Sequence, residues 1–263
     1  MAKLKFLDLR EQVIGTCLQM NEEGINQGTS GNVSVRTDEG FLITASGVPY
    51  HKMKPEHIVE MDLDGGYSGP YLPSTEWRMH MDIFKHRPEA SAIVHTHSIH
   101  ATALACLRKD IPPFHYMIGI GGGASIRCSD YAEFGTQELS DAMLKALEDR
   151  SACLLGNHGQ IVFGNTLEKA LWRAGEVEAL SHQYWAALQA GKPLLLSDVQ
   201  MTTVLARFKT YGKQPDELAK DEAHAVFAPV RRDATRSPKR RKTRNPDLVP
   251  LRGTRGGGQL RSN

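Results

Sequence analysis

Two histidines, His95 and His97, end a short apolar segment that begins at Ser91. Alternate side chains of a β-strand point to the same face, so both imidazoles are expected on one side of the strand. In that arrangement their nitrogens can bind one cation at about 2 Å, provided that further ligands come from elsewhere in the chain. Two ordinary strand histidines with satisfied hydrogen bonds would give the same pattern, so the other parts of the chain must decide.

A third histidine occupies a different kind of position. His158 follows the apolar segment 152–155 and lies in Gly156-Asn-His-Gly159, where the chain is expected to reverse into another strand. Glycines favour turns, so a histidine beside them at a strand end is expected to face a site rather than the core. His158 is therefore a candidate third ligand for the same cation.

Two stretches rich in glycine, hydroxyl and amide groups are candidate anion sites. In residues 26–32, glycines let backbone N–H groups face an anion and Asn32 adds a side-chain donor, although a plain connection between helix and strand would look alike. In the second stretch Ser74 is expected to be a helix N-cap, which would put Thr75 and Glu76 in the first turn. A helix N-terminus binds phosphate, but a carboxylate there also stabilises any helix.

The remaining patterns predict the elements that must position these residues. Helical spacing covers 7–24, 74–84, 99–107, 136–147, 165–189 and 197–208, while strands are expected at 33–36, 41–44, 58–63, 91–97, 114–118, 152–155 and 161–163. Asn165 with Glu168, and Ser197 with Gln200, are expected to begin the last two helices. Hairpins and meanders with helices between them predict a single three-layer α/β/α domain over residues 5–215, around a central mixed, mostly antiparallel sheet.

The composition excludes several classes of protein. The 263 residues are 40% hydrophobic and 24% charged, as in globular proteins with a full core. Four scattered cysteines without a CxxC pair indicate neither a disulfide framework nor a thiolate zinc site, and they favour a reducing, cytoplasmic location. Charges interrupt residues 1–11 and no run of about 18 apolar residues occurs, so neither a signal peptide nor a membrane partner is expected.

The charge is distributed unevenly. Residues 231–263 carry eleven Lys or Arg against two Asp, a net charge of +9, whereas residues 1–230 carry 21 basic and 28 acidic residues, a net of −7. Residues 216–263 are expected to form a basic, disordered tail because they contain few apolar residues. The tail could bind nucleic acid or another anionic partner, or be a solvated extension. Nucleic-acid binding is not favoured, since no aromatic residue is interleaved with the charges.

Five short motifs, in order along the chain, carry a resemblance to a known family. The chain resembles the class II, zinc-dependent sugar-phosphate aldolases of the L-fuculose-1-phosphate aldolase and adducin-head family, through Gly28-Thr-Ser-Gly-Asn32-Val-Ser, Pro73-Ser-Thr-Glu76-Trp, Val94-His95-Thr-His97, His115-Tyr116-Met117 and Asn157-His158-Gly159. The resemblance extends from the first helix to Tyr211. It implies a cytoplasmic homotetramer that cleaves a ketose 1-phosphate, such as L-fuculose 1-phosphate, to dihydroxyacetone phosphate and an aldehyde such as lactaldehyde.

The resemblance also implies roles for individual residues. One Zn²⁺ per subunit would be held by His95, His97 and His158, and Glu76 would be the acid/base residue that also approaches the metal. Tyr116 would reach the active site across a subunit interface, and Tyr211 would close over it. The substrate phosphate would lie on a set of loop residues, namely Gly31, Asn32, Ser46, Gly47, Ser74 and Thr75.

Three other functions within the family remain as alternatives. A ribulose-phosphate 4-epimerase would use the same chemistry. The resemblance implies that such an epimerase would carry an Asp-bearing motif at the position where this chain has Glu76-Trp77. A methylthioribulose-phosphate dehydratase has less support. An adducin-like binding module would keep the fold, lose the metal and act through a basic tail, and the complete histidine and glutamate set argues against it. The sequence leaves the choice among ketose phosphates open.

Overall fold

The computed structural model describes residues 4–211. Within them lie six α-helices and eight β-strands. The helices are α1 (Leu7–Glu22), α2 (Trp77–His86), α3 (Ile99–Cys106), α4 (Gln137–Ala146), α5 (Leu167–Ala190) and α6 (Asp198–Phe208). The strands are β1 (Asn32–Thr37), β2 (Gly40–Thr44), β3 (Ile58–Met61), β4 (Tyr67–Ser68), β5 (Ala92–Thr96), β6 (Arg127–Cys128), β7 (Ala152–Leu155) and β8 (Gly159–Gly164).

All eight strands form one sheet, in the order β4-β3-β2-β1-β5-β8-β7-β6. Only the short pair β6 and β7 is parallel, and every other neighbouring pair is antiparallel. The predicted mixed, mostly antiparallel sheet is therefore confirmed. The predicted basic tail, 216–263, and the end of the predicted domain lie outside the described residues.

Helices cover both faces of this sheet. Val94 of β5 packs on one side with residues of α1, α3, α5 and α6, whereas its neighbour Ile93 packs on the other side with residues of α2 and α4. Consecutive residues of a strand point to opposite faces, so a strand buried on both sides must be apolar at nearly every position, as β5 is before His95. The predicted three-layer α/β/α arrangement is confirmed.

Side-chain caps explain where the later helices begin. Thr136 begins α4 and Thr166 begins α5, because their hydroxyl oxygens accept the N–H groups of the residues three positions later, at 3.2 and 3.1 Å. The predicted capping box of Ser197 with Gln200 is present at α6. The predicted start of α5 at Asn165 is wrong by one residue, since Thr166 is the N-cap.

The predicted strand 114–118 is wrong. Its apolar residues instead enter a 3-10 helix, Tyr116–Gly121, which starts where the His115 ring accepts the Met117 N–H at 3.2 Å. This segment is buried by close packing on α6: a Cβ placed on Gly119 would lie 2.8 Å from the Phe208 ring. A run of apolar residues indicates burial but does not by itself distinguish a strand from a helical turn.

No helix between residues 4 and 211 is both long and apolar enough to cross a bilayer.

Candidate active site

Four side chains converge at one point near the middle of the sheet. Ligand atoms of Glu76, His95, His97 and His158 all lie within 4.8 Å of one another. The two carboxylate oxygens of Glu76 lie 3.2 Å from His95 Nε2 and 2.9 Å from His158 Nε2. The Nε2 atoms of His95 and His97 are 3.0 Å apart. The structure thus brings the predicted ligands together from three separate parts of the chain.

Strand ends and turns deliver these ligands. His95 is the fourth residue of β5, His97 follows the last residue of that strand, and His158 lies in the turn between β7 and β8. Asn157 shapes this turn by adopting the left-handed conformation, with φ of 55°. Gly159 must be glycine, because a Cβ there would lie 2.5 Å from the Thr96 carbonyl oxygen and 3.0 Å from the His97 ring.

A hydrogen bond outside the cluster fixes the tautomer that neutral His95 adopts. Its Nδ1 donates to the Gln160 carbonyl oxygen at 2.7 Å, and a carbonyl oxygen can only accept. The lone pair of the neutral ring therefore lies on Nε2, which faces the cluster. Gln160 itself is held by its side-chain amide, which donates to Ser98 Oγ at 2.9 Å and to the Ala174 carbonyl oxygen at 3.1 Å.

The charges of the cluster suit a divalent cation. Burial of Glu76, which is 6% exposed, opposes its ionisation, but the adjacent His95 and His158 outweigh this and lower its pKa well below the ordinary value. Burial, together with the neighbouring imidazoles of His95 and His158, lowers the pKa of His97 to about 3. One carboxylate oxygen and neutral imidazole nitrogens are ligands that zinc and similar metals prefer. The residues present therefore fit the metal that the resemblance implied.

A second, fully buried group of polar side chains supports Glu76. Asn32 Nδ2 donates to Glu76 Oε2 at 2.8 Å, and Asn32 Oδ1 lies 2.5 Å from His80 Nε2. His80 Nδ1 in turn lies 2.6 Å from Ser34 Oγ. Burial is the main cause that lowers the pKa of His80, to about 3, so the ring is neutral. Sequence analysis missed His80 and Ser34, although Asn32 and Ser34 occupy alternate positions that share one face of β1.

The six residues predicted to bind phosphate lie on three neighbouring loops. Gly31 precedes β1 and Asn32 is its first residue, Ser46 and Gly47 follow β2, and Ser74 and Thr75 precede α2. A bridge between Ala45 and Pro73 joins the second and third loops, and Ser46 N donates to the Leu72 carbonyl oxygen at 3.1 Å. The hydrogen bond from Asn32 to Glu76 joins the first loop to the third.

The predicted helix N-cap at Ser74 is wrong. Helix α2 begins at Trp77, and Glu76 occupies the N-cap position without a side-chain cap. Residues 74–77 form a tight turn instead, in which Trp77 N donates to the Ser74 carbonyl oxygen at 3.0 Å and Glu76 N donates to Ser74 Oγ at 3.3 Å. Thr75 and Glu76 therefore precede the helix, and the Glu76 carboxylate turns toward the histidines rather than toward solvent.

The two tyrosines assigned by resemblance are not part of this cluster within the described chain. Tyr116 is 48% exposed at the start of the 3-10 helix, and Tyr211 is 52% exposed with its ring 5.1 Å from that of Phe208. The role predicted for Tyr116 involves a neighbouring subunit, and the roles of both phenols stay predictions.

Comparison with known proteins decides the family. The model of the Class II Aldolase and Adducin N-terminal domain matches residues 11–185. The chain belongs to this family. It is 49% identical over 210 residues to an L-fuculose phosphate aldolase of Escherichia coli strain K12, a match that covers 80% of this chain and 98% of that enzyme.

Two further relatives agree with this assignment. A 5-methylthioribulose-1-phosphate/5-deoxyribulose-1-phosphate aldolase of Rhodospirillum rubrum is 48% identical over 204 residues, covering 78% of this chain and 92% of that protein. A solved L-fuculose 1-phosphate aldolase matches with a TM-score of 0.76 and 36% identity, over 80% of this chain and 100% of its own. The chain is a class II aldolase, and the predicted family and enzyme class are confirmed.

Loss of one imidazole should release the metal. In His97→Ala, bound divalent metal should fall from about one ion per chain to a small fraction of that, because a site with fewer ligands holds the ion weakly. Elemental analysis after gel filtration measures this. His51→Ala, at an exposed histidine, is the control and should keep the wild-type content. Equal metal in both variants would contradict the assignment of His97 as a ligand.

Acidification should destabilise the metal-free protein through His80. The pKa of this buried ring is about 3, against 6.5 for an unperturbed histidine. Between these pH values the unfolded chain binds a proton at this histidine and the folded protein does not. The free energy of unfolding of the protein therefore falls as the pH decreases, by up to about 1.4 kcal/mol per pH unit. His80→Gln removes the titrating group, so the free energy of unfolding of this variant should fall less steeply as the pH decreases below about 6.5. Urea titrations with a chelator present measure it, and an unchanged slope would contradict a neutral His80.

Proposed function

We propose that this aldolase cleaves a ketose 1-phosphate between C3 and C4, giving dihydroxyacetone phosphate and a short aldehyde. L-Fuculose 1-phosphate, which would give lactaldehyde, and 5-deoxyribulose 1-phosphate are the candidate substrates, since relatives at 49% and 48% identity are named for substrates of this kind. The observation that carries the proposal is the group formed by buried Glu76, buried His95 and the partly buried His97 and His158, joined by Asn32 to loops rich in donors.

We assign Zn²⁺ to the cluster formed by Glu76, His95, His97 and His158. Three imidazoles and a carboxylate form a donor set typical of zinc proteins, and His95 is already in the tautomer that directs a lone pair into the site. When bound, the metal would supply Lewis-acid stabilisation of the negative charge that develops on the carbonyl oxygen of the ketose.

Glu76 is the proposed acid/base residue. Its lowered pKa makes it the ionised, proton-accepting form at neutral pH. In the condensation direction it takes a proton from C3 of dihydroxyacetone phosphate, the C3–C4 bond forms, and the Tyr116 hydroxyl of a neighbouring subunit gives a proton to the aldehyde oxygen. In cleavage both proton transfers run in reverse, so Glu76 returns the proton to C3.

The loops beside Glu76 are the proposed phosphate site. The amide of Asn32 has two N–H groups, and one of them donates to Glu76, which leaves the other for a phosphate oxygen. Ser46, Gly47 and Thr75 are exposed, so their donors are accessible to a ligand. Gly31, Asn32 and Ser74 complete the set next to the carboxylate that acts at C3.

The assembly and location follow from the same proposal. Tyr116 is a large, half-exposed side chain, which supports a homotetramer in which it reaches the active site of a neighbouring subunit. Tyr211, also half-exposed, is proposed to close over that site. The cysteines at 17, 106, 128 and 153 are all unpaired, which supports a reducing, cytoplasmic environment.

Chelation should abolish the proposed reaction. Purified protein incubated with L-fuculose 1-phosphate or 5-deoxyribulose 1-phosphate should release dihydroxyacetone phosphate, and a coupled assay with glycerol-3-phosphate dehydrogenase measures it. Dialysis against a chelator should remove the activity, and added Zn²⁺ should restore it. Comparing lactaldehyde with other aldehydes in the condensation direction then identifies the preferred substrate. Activity that survives complete metal removal would contradict the mechanism.

Tyr116→Phe should lower turnover while leaving the metal in place. The change removes one hydroxyl that transfers a proton, so kcat should fall by about 10²- to 10⁴-fold with unchanged metal content. Tyr67→Phe is the matched control, because Tyr67 is 49% exposed on the edge strand β4. Loss of metal in Tyr116→Phe, or equal kcat in the two variants, would refute the assigned role.

A further inference from the structure

Glu76 is the last member of a chain of three buried hydrogen bonds. Ser34 Oγ lies 2.6 Å from His80 Nδ1, His80 Nε2 lies 2.5 Å from Asn32 Oδ1, and Asn32 Nδ2 donates to Glu76 Oε2 at 2.8 Å. Ser34 and His80 are 0% exposed, and Asn32 is 3% exposed. Water cannot substitute for any of these partners without a rearrangement of the sheet or of α2.

The Glu76 end of this series of hydrogen bonds determines which group donates and which accepts in each of them. An ionised carboxylate only accepts, so the NH₂ group of Asn32 must face Glu76 and its carbonyl oxygen must face His80. His80 therefore carries its proton on Nε2 and donates to Asn32. Its Nδ1 then accepts from the hydroxyl of Ser34, so each of the three bonds has one donor and one acceptor.

We propose that His80 is a positioning residue of the aldol reaction, which acts on Glu76 through Asn32. By holding the carbonyl oxygen of Asn32, it directs both N–H groups of that amide into the active site. One of these N–H groups holds the carboxylate that exchanges a proton with C3. This inference rests on the role proposed above for Glu76.

The fold makes His80 suited to this task. It lies four residues after Glu76, one helical turn into α2, while Asn32 and Ser34 are alternate residues of β1. The imidazole thus bridges the strand and the helix that carry the two ends of the chain. Without it, the terminal torsion of Asn32 has two broad minima, and the flipped amide would place its oxygen against the carboxylate.

The decisive measurement separates the proton transfer at C3 from overall turnover. Enzyme in deuterated buffer with dihydroxyacetone phosphate, and no aldehyde, should exchange the C3 proton, and proton NMR follows this step. In His80→Leu, which removes both ring nitrogens, the exchange rate and kcat should fall together by about 10- to 100-fold, while metal content stays at the wild-type value. His80→Gln, which retains a donor for Asn32, should recover most of both rates.

His86→Leu is the matched control, since His86 is an exposed residue of the same helix whose ring bonds to the Asp82 carbonyl oxygen, at 2.9 Å. It should leave both rates unchanged. If His80→Leu does not fold, Ser34→Ala provides the test: it removes the hydroxyl that donates to His80 Nδ1 and holds the ring against Asn32, and it should slow exchange with unchanged metal content. An exchange rate in His80→Leu equal to that of the wild-type enzyme would overturn the inference. If His80→Leu does not fold, an unchanged exchange rate in Ser34→Ala would overturn it. Failure of His80→Gln to recover the two rates would overturn it as well. A wild-type protein with neither exchange nor cleavage would instead refute the proposed function.

Discussion

The antiparallel pairing of β1 with β5 is the constraint on which the active site depends. It sets Asn32 opposite His95 at the centre of an eight-stranded sheet, with β2 and β8 holding the pair from either side. A slip of one residue would turn every side chain of a strand to the other face, so His95 would enter the helical layer formed by α3 and α5. The apolar residues on both faces of β5 prevent this slip, which means that the core fixes the position of the chemistry.

The polar groups at this site are arranged for reactivity at some cost in stability. Burying the carboxylate of Glu76 among imidazoles is unfavourable unless each group finds a partner, and here the two carboxylate oxygens are met by His95, His158 and Asn32. The free-energy cost of this burial is offset by two extensive hydrophobic cores, one on each face of the sheet. Because the supporting groups lie on strands and a helix, the carboxylate has a defined orientation before any ligand binds.

The sequence contained most of the information about the fold, since strand periodicity and hydroxyl caps act locally. The capping box at Ser197 was predictable because both partners lie within four residues. The 3-10 helix at Tyr116 was not, because its burial depends on α6, which lies some eighty residues later. His158 was recognisable from its adjacent glycine, whereas His80 looks like any helical residue until β1 is placed beside it. The conformation and role of the residues that sequence analysis missed depend on partners distant in the chain rather than on local propensity.

The glycines beside the histidines have a consequence for how such proteins diverge. A Cβ on Gly31 would lie 2.5 Å from the His95 carbonyl oxygen, and one on Gly159 would meet Thr96 and His97. Gly31 and Gly159 are therefore constrained largely by the backbone of β5, independently of any metal. A descendant that lost its histidines would still need these glycines to keep the strands packed. In a related sequence, these two glycines would therefore indicate that the fold is retained, whereas only the histidines would indicate that the enzymatic activity is retained.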